Sequence, residues 1–184
     1  MKQWLWLAGA LVIALGLAIL GTTPPQPVAT PNSDPGTAAA QRAYVDIQRI
    51  AAEPHPTGSA TNARVRAYLI EELQKTGLTV ETTTGTVDER AQAKLDHWDG
   101  EPSTDRTQFV NVIGVLPGQD RTLPAVALMA HYDSVWGSPG AADDATGVAV
   151  ILETVRALAA GGQVSRDVIV VLTDAEELGL NGAK

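Results

Sequence analysis

The 184-residue sequence contains no cysteine, which excludes a disulfide framework and a thiolate zinc site; any metal must rest on His, Asp and Glu. Cations are in deficit, with 13 Lys and Arg against 21 Asp and Glu, and the formal net charge is -8. A chain so charged lacks the basic face through which nucleic acid or an anionic lipid surface is bound. Metal cations or cationic groups suit it better. An internal repeat is also missing, which excludes a repeat array. What is present is 45% hydrophobic content, enough to give one modest domain a packed core and leave a short extension.

The extension is at the N-terminus. "WLWLAGALVIALGLAILG", residues 4–21, carries no charge and follows a lone Lys2. As a helix it would extend about 26 Å, near the roughly 30 Å of a bilayer's hydrocarbon. No small-x-small site follows it closely, which favours an uncleaved signal anchor over a signal peptide at residues 1–21. With its positive end N-terminal, such an anchor would leave the rest of the chain on the extracytoplasmic side of the membrane. Residues 22–40 are rich in Pro, Thr and Ala and read as a tether. The folded part is expected over residues 41–184.

Within it, Tyr44, Ile47 and Ile50 have helical spacing, and "EPHPTGS" ends that helix. A second helix is expected over about 60–76, with Ser59 as N-cap, Val65, Leu69 and Leu73 as its buried stripe, and Gly77 as its stop. "LTVETTT" has strand composition; residues 85–108 are polar and carry no assigned element. Then "FVNVIGVL", "AVALMAHYDS", a helix over about 144–160 and "RDVIVVLTD" alternate. Nearly all-apolar strands interleaved with an amphipathic helix indicate an α/β fold, with a mixed, largely parallel sheet flanked by helices on both faces. In open sheets of this class ligands sit outside the carboxyl ends of the strands. "HYDS" and "TDAEE" both lie at such ends.

Residues two apart on a strand share a face, so His131 and Asp133 lie together, and Asp133 could hold one ring nitrogen while the other binds a metal. Asp143 and Asp144 open the next helix; one suffices as a cap, leaving the second free to reach a ligand. Of the adjacent Glu176 and Glu177, one can bind metal while the other activates water. No Lys or Arg occurs over residues 131–155 or 173–183, so the fold would bring together carboxylates that lack a counter-ion. His55 reads as loop structure in a proline turn, and His97 falls in the unassigned stretch.

"AHYDSVWGSPGAADDATGVAVILE" with "LTDAEELGLNGAK" resembles the co-catalytic zinc peptidases of the bacterial leucyl aminopeptidase type. That family includes glutamate carboxypeptidase and the transferrin receptor ectodomain. "PHPTGSATNARVRAYLIEELQKTGL" and "NVIGVLPG" resemble its lead-in helix and strand, particularly in membrane-anchored members. The resemblance implies two zinc ions, with His131 ligating one, Asp133 orienting His131 and Asp143 bridging the pair. It further implies Glu176 as general base, Glu177 as ligand of the other metal, and Asp144 as helix cap. The implied activity is exopeptidase cleavage of peptide substrates, aminopeptidase action first. The family pattern also needs an acid and a histidine after the glutamate pair, where only seven residues follow Glu177; the chain is therefore expected to be the N-terminal part of a longer product. Two alternatives share the fold: a non-catalytic membrane-tethered module and a one-zinc glutaminyl cyclase. The intact "HYDS", "AADDATG" and "AEEL" motifs favour the peptidase.

Overall fold

A computed structural model of the chain describes residues 2–22, 35–99 and 108–184. It divides into two units, residues 1–34 and 35–184.

In the first unit Lys2–Thr22 forms one helix, α1. Leu11, Ile13, Leu15 and Leu17 are exposed on it. Among the described residues, however, no helix is long and apolar enough to cross a membrane. The expected tether falls mostly at residues 23–34, outside the described residues.

The second unit runs α2 (Pro35–Ile50), α3 (Ala60–Lys75), β1 (Thr79–Thr86), α4 (Glu89–Asp99), β2 (Gln108–Leu116), β3 (Val126–His131), α5 (Thr146–Ala160) and β4 (Val168–Thr173). α3 forms as its sequence demands. Ser59 accepts a hydrogen bond from the Asn62 amide, Val65, Leu69 and Leu73 are buried, and Gly77 takes the left-handed φ of 83° that a glycine tolerates after a helix. α4 occupies part of the stretch left unassigned by the sequence. Its signal was a cap and a spacing: Asp88 accepts from the Ala91 amide, and Ala91 and Leu95, four apart, are fully buried. His97 sits on its exposed side.

The sheet order is β1-β2-β4-β3. The β3–β4 pairing is parallel, whereas β1–β2 and β2–β4 are antiparallel. The sheet is therefore mixed, as expected, but its pairings are not largely parallel. β4 inserts between β2 and β3, and only the β3-α5-β4 crossover brings two strands side by side in the same direction.

One face carries Val112, Leu128, Ala130, Val170 and Leu172, and it packs against Ile50 of α2, Leu69 and Leu73 of α3, and Val148, Leu152 and Val155 of α5. On the opposite face α4 packs over Phe109 at the end of β2. Further along that face Met129 stays 56% exposed. Arg156 of α5 ties the helical layer together through ion pairs with Asp46 of α2, Glu72 of α3 and Glu153.

α5 starts as the sequence suggested. Asp144 Oδ1 accepts from the Gly147 amide at 3.0 Å, and a Cβ at position 147 would stand 2.3 Å from that oxygen, which explains the glycine. Asp144→Ala is expected to cost about 1 kcal/mol of stability through loss of the cap, read as a lower urea midpoint at unchanged m.

Candidate metal centre

The carboxyl ends of β3 and β4 lie side by side, with His131 opposite Thr173 in the parallel register. His131 ends β3, and the turn carrying Glu176 and Glu177 follows β4. Between β3 and α5, the turn Ala141–Ala145 delivers Asp143, whose backbone is non-helical at φ -133° and ψ 92°; the Asp143–Asp144 peptide is cis.

These elements converge on the imidazole. His131 Nε2 lies 3.0 Å from Asp143 Oδ1 and 3.9 Å from Glu176 Oε2. On its other side Nδ1 donates to the Asp133 carbonyl at 3.1 Å and faces Asp133 Oδ1 at 3.5 Å. Burial opposes charge on the His131 ring, but hydrogen bonds to Asp133 and Asp143 outweigh it and raise the pKa to about 9. At neutral pH the ring therefore carries both protons. Loading a metal on Nε2 must displace one of them.

Burial raises the Glu177 carboxyl above the ordinary range, and the charges of Asp133, Asp143 and Glu176 add to that. Asp174 is pushed up to about 6, first by burial and then by Asp133. The sequence expectation of crowded carboxylates is thus met in space. It omitted one cation: Lys94 of α4 donates to the Glu177 carbonyl. No spacing signal within the acid-rich segments could have revealed a lysine from an element 80 residues away.

Asp133 does more than face His131. Its side chain is fully buried, and its two oxygens accept the Glu176 and Glu177 amides at 3.1 Å each. The Ala175 amide is accepted by Asp174 Oδ1 and the Asp174 amide by Asn111 Oδ1 of β2. All four successive amides of the turn, residues 174–177, are therefore held by side-chain oxygens. Such anchoring keeps Ala175 at a left-handed φ of 59°, which disfavours a residue bearing a Cβ by about 1–2 kcal/mol.

The donor chemistry suits a divalent cation such as zinc, with imidazole nitrogen, carboxylate oxygen and no thiolate. Among the described residues, no group of three or more His, Asp or Glu side chains is arranged to hold a metal ion. The donors fit in kind and supply part of a ligand set: His131 and Asp143 are in direct contact, while Glu177 is near them through its charge. His55, buried with its amide bonded to Ser134 Oγ, serves the loop structure expected of it.

Comparison with known proteins shows what this arrangement is similar to. Residues 111–184 match peptidase family M28. Over 173 residues the chain is 31% identical to a vacuolar membrane protease of Candida albicans, covering 94% of this chain and 19% of that protein. The chain thus spans about a fifth of the length of the curated relatives it matches. Two solved structures share its fold. A zinc aminopeptidase from Bacillus subtilis matches with a TM-score of 0.64 at 17% identity, over 78% of this chain and 63% of that one. A glutaminyl cyclase from Porphyromonas gingivalis matches with a TM-score of 0.58 at 24% identity, over 74% and 45%. All four side chains at the His131 cluster lie inside the M28 segment.

Proposed function

We propose that the chain is part of a membrane-associated, metal-dependent peptidase of family M28. The observation that carries this is the convergence of His131, Asp143 and Glu176 within 3.9 Å, at adjacent strand ends, in a segment that matches that family. His131, Asp143 and Glu177 would hold metal, with zinc as the expected ion and two as the expected number in the whole protein. When bound, such ions polarise a peptide carbonyl and make water acidic. Glu176, a third exposed and next to the imidazole, is placed to take a proton from water on Oε2 and pass it to the departing amine. Asp133 keeps His131 oriented and the glutamate turn in place. Exopeptidase action, releasing N-terminal residues from peptides, is the reading favoured by the fold it shares with the B. subtilis enzyme.

The exposed apolar residues of α1 and the name of the C. albicans relative support membrane association. With the single Lys2 ahead of the apolar run, insertion of α1 would leave the α/β unit on the extracytoplasmic side.

The test is metal analysis together with hydrolysis of aminoacyl and N-blocked peptides by the protein that carries this segment. Activity should be lost on chelation and return with zinc. A protein that holds no metal, or that forms pyroglutamate and releases no amino acid, would overturn the reading.

A further inference from the structure

Asp174 has no part in the ligand set, yet it is 1% exposed and lies where the lead-in loop, α3, β2 and the glutamate turn meet. Its Oδ1 accepts from Thr57 Oγ1 at 2.9 Å, from Asn62 Nδ2 at 3.2 Å and from the Ala175 amide at 2.9 Å. Its Oδ2 accepts from the Val110 amide at 3.1 Å. A buried carboxylate needs such donors, and here they come from three separate elements besides its own turn. Thr57 Oγ1 also stands 3.5 Å from Asp133 Oδ2, the same oxygen that accepts the Glu177 amide. The Thr57 hydroxyl thus donates to Asp174 and stands beside Asp133, and each of those buried carboxylates holds backbone of the glutamate turn.

We infer that Thr57, Asn62 and Asp174 are positioning residues for the Glu176–Glu177 turn, coupling the lead-in loop and α3 to the groups that would bind metal and move the proton. The inference rests on the roles of Glu176 and Glu177 proposed above. All three residues are about 1% exposed and act through Asp133 and the turn backbone. Without the Thr57 hydroxyl, Asp174 Oδ1 loses a donor and nothing bridges the two carboxylates. The pair would then shift or take up a proton, and either change loosens the anchors of the Ala175, Glu176 and Glu177 amides.

The test is residue-resolved amide hydrogen exchange on the full chain carrying Thr57→Val, with Thr57→Ser as the conservative control. Valine keeps the volume and removes the donor. Exchange at Glu176 and Glu177 should accelerate about tenfold or more, while Val170 and Leu172 in β4 change by less than about twofold, and serine should restore protection. Unchanged exchange in the turn, or equal acceleration in β4, would overturn the inference, the latter because it reports only a less stable fold. If Thr57→Val does not fold, Asn62→Ala carries the same readout. In the active protein the variant should lower kcat with little change in KM. Exchange needs no turnover, so the two proposals fail separately. A wild type without metal-dependent hydrolysis counts against the proposed function, and a turn without selective acceleration counts against the positioning role.

Discussion

Glu176→Gln is expected to lower turnover by about 10²–10⁴-fold while bound metal stays at the wild-type level. Gln has the shape of Glu but cannot take a proton, so the substitution removes the base and little else. The turn should not move, because position 176 is held through its backbone amide by Asp133, and that bond is indifferent to the side chain. The proposed ligands His131, Asp143 and Glu177 are untouched. KM should change far less than kcat, since the lost interaction belongs to the transition state. Steady-state kinetics with parallel metal analysis checks this. Normal turnover would move the proton-transfer role to another residue, and loss of metal would make Glu176 a ligand.

Asp133→Ala should be the most damaging single change to the fold near the site. It leaves the Glu176 and Glu177 amides without their acceptor. A buried, unsatisfied donor costs about 1–3 kcal/mol, so the pair predicts roughly 2–5 kcal/mol if water cannot replace the carboxylate fully. The effect should be visible as a lowered urea midpoint. A second readout separates this role from general destabilisation. Among the groups that raise the His131 pKa, Asp133 is the largest, so in the variant the imidazole should titrate below the value of about 9 that it has in the metal-free wild type. NMR titration of the ring protons measures it. A His131 pKa that does not fall would mean that Asp143 and Glu176 suffice to hold the charge.

The legible parts of this protein were those governed by local rules. Ser59, the stripe Val65-Leu69-Leu73 and Gly77 specify α3 through capping and periodicity, which depend on neighbours a few positions away. The pairing of His131 with Asp133 followed from strand alternation; the need for a single cap left one of Asp143 and Asp144 free, and the resemblance made Asp144 the cap. What escaped was non-local. That β4 enters between β2 and β3 antiparallel to β2 depends on chain routing, which no periodicity encodes. α4 was hidden because its buried positions, Ala91 and Leu95, are few and set among charged residues, so the pattern is faint. Asp133 was read as a partner of His131, whereas its carboxylate spends most of its hydrogen-bonding capacity on the turn after β4, 43 and 44 positions away. Thr57 and Asn62 gave no sign of any link to Asp174, because a loop threonine and a first-turn asparagine have ample local uses.

The four side-chain-anchored amides of residues 174–177 bear on how a tetrahedral oxyanion could be stabilised. Many hydrolases meet that charge with backbone N–H groups at the end of a strand, left free and aimed at the reacting oxygen. Here each N–H in the equivalent place is already bonded to Asn111, Asp174 or Asp133. These four amides offer no oxyanion hole, so in the proposed peptidase the negative charge growing on a substrate carbonyl would be met by other groups.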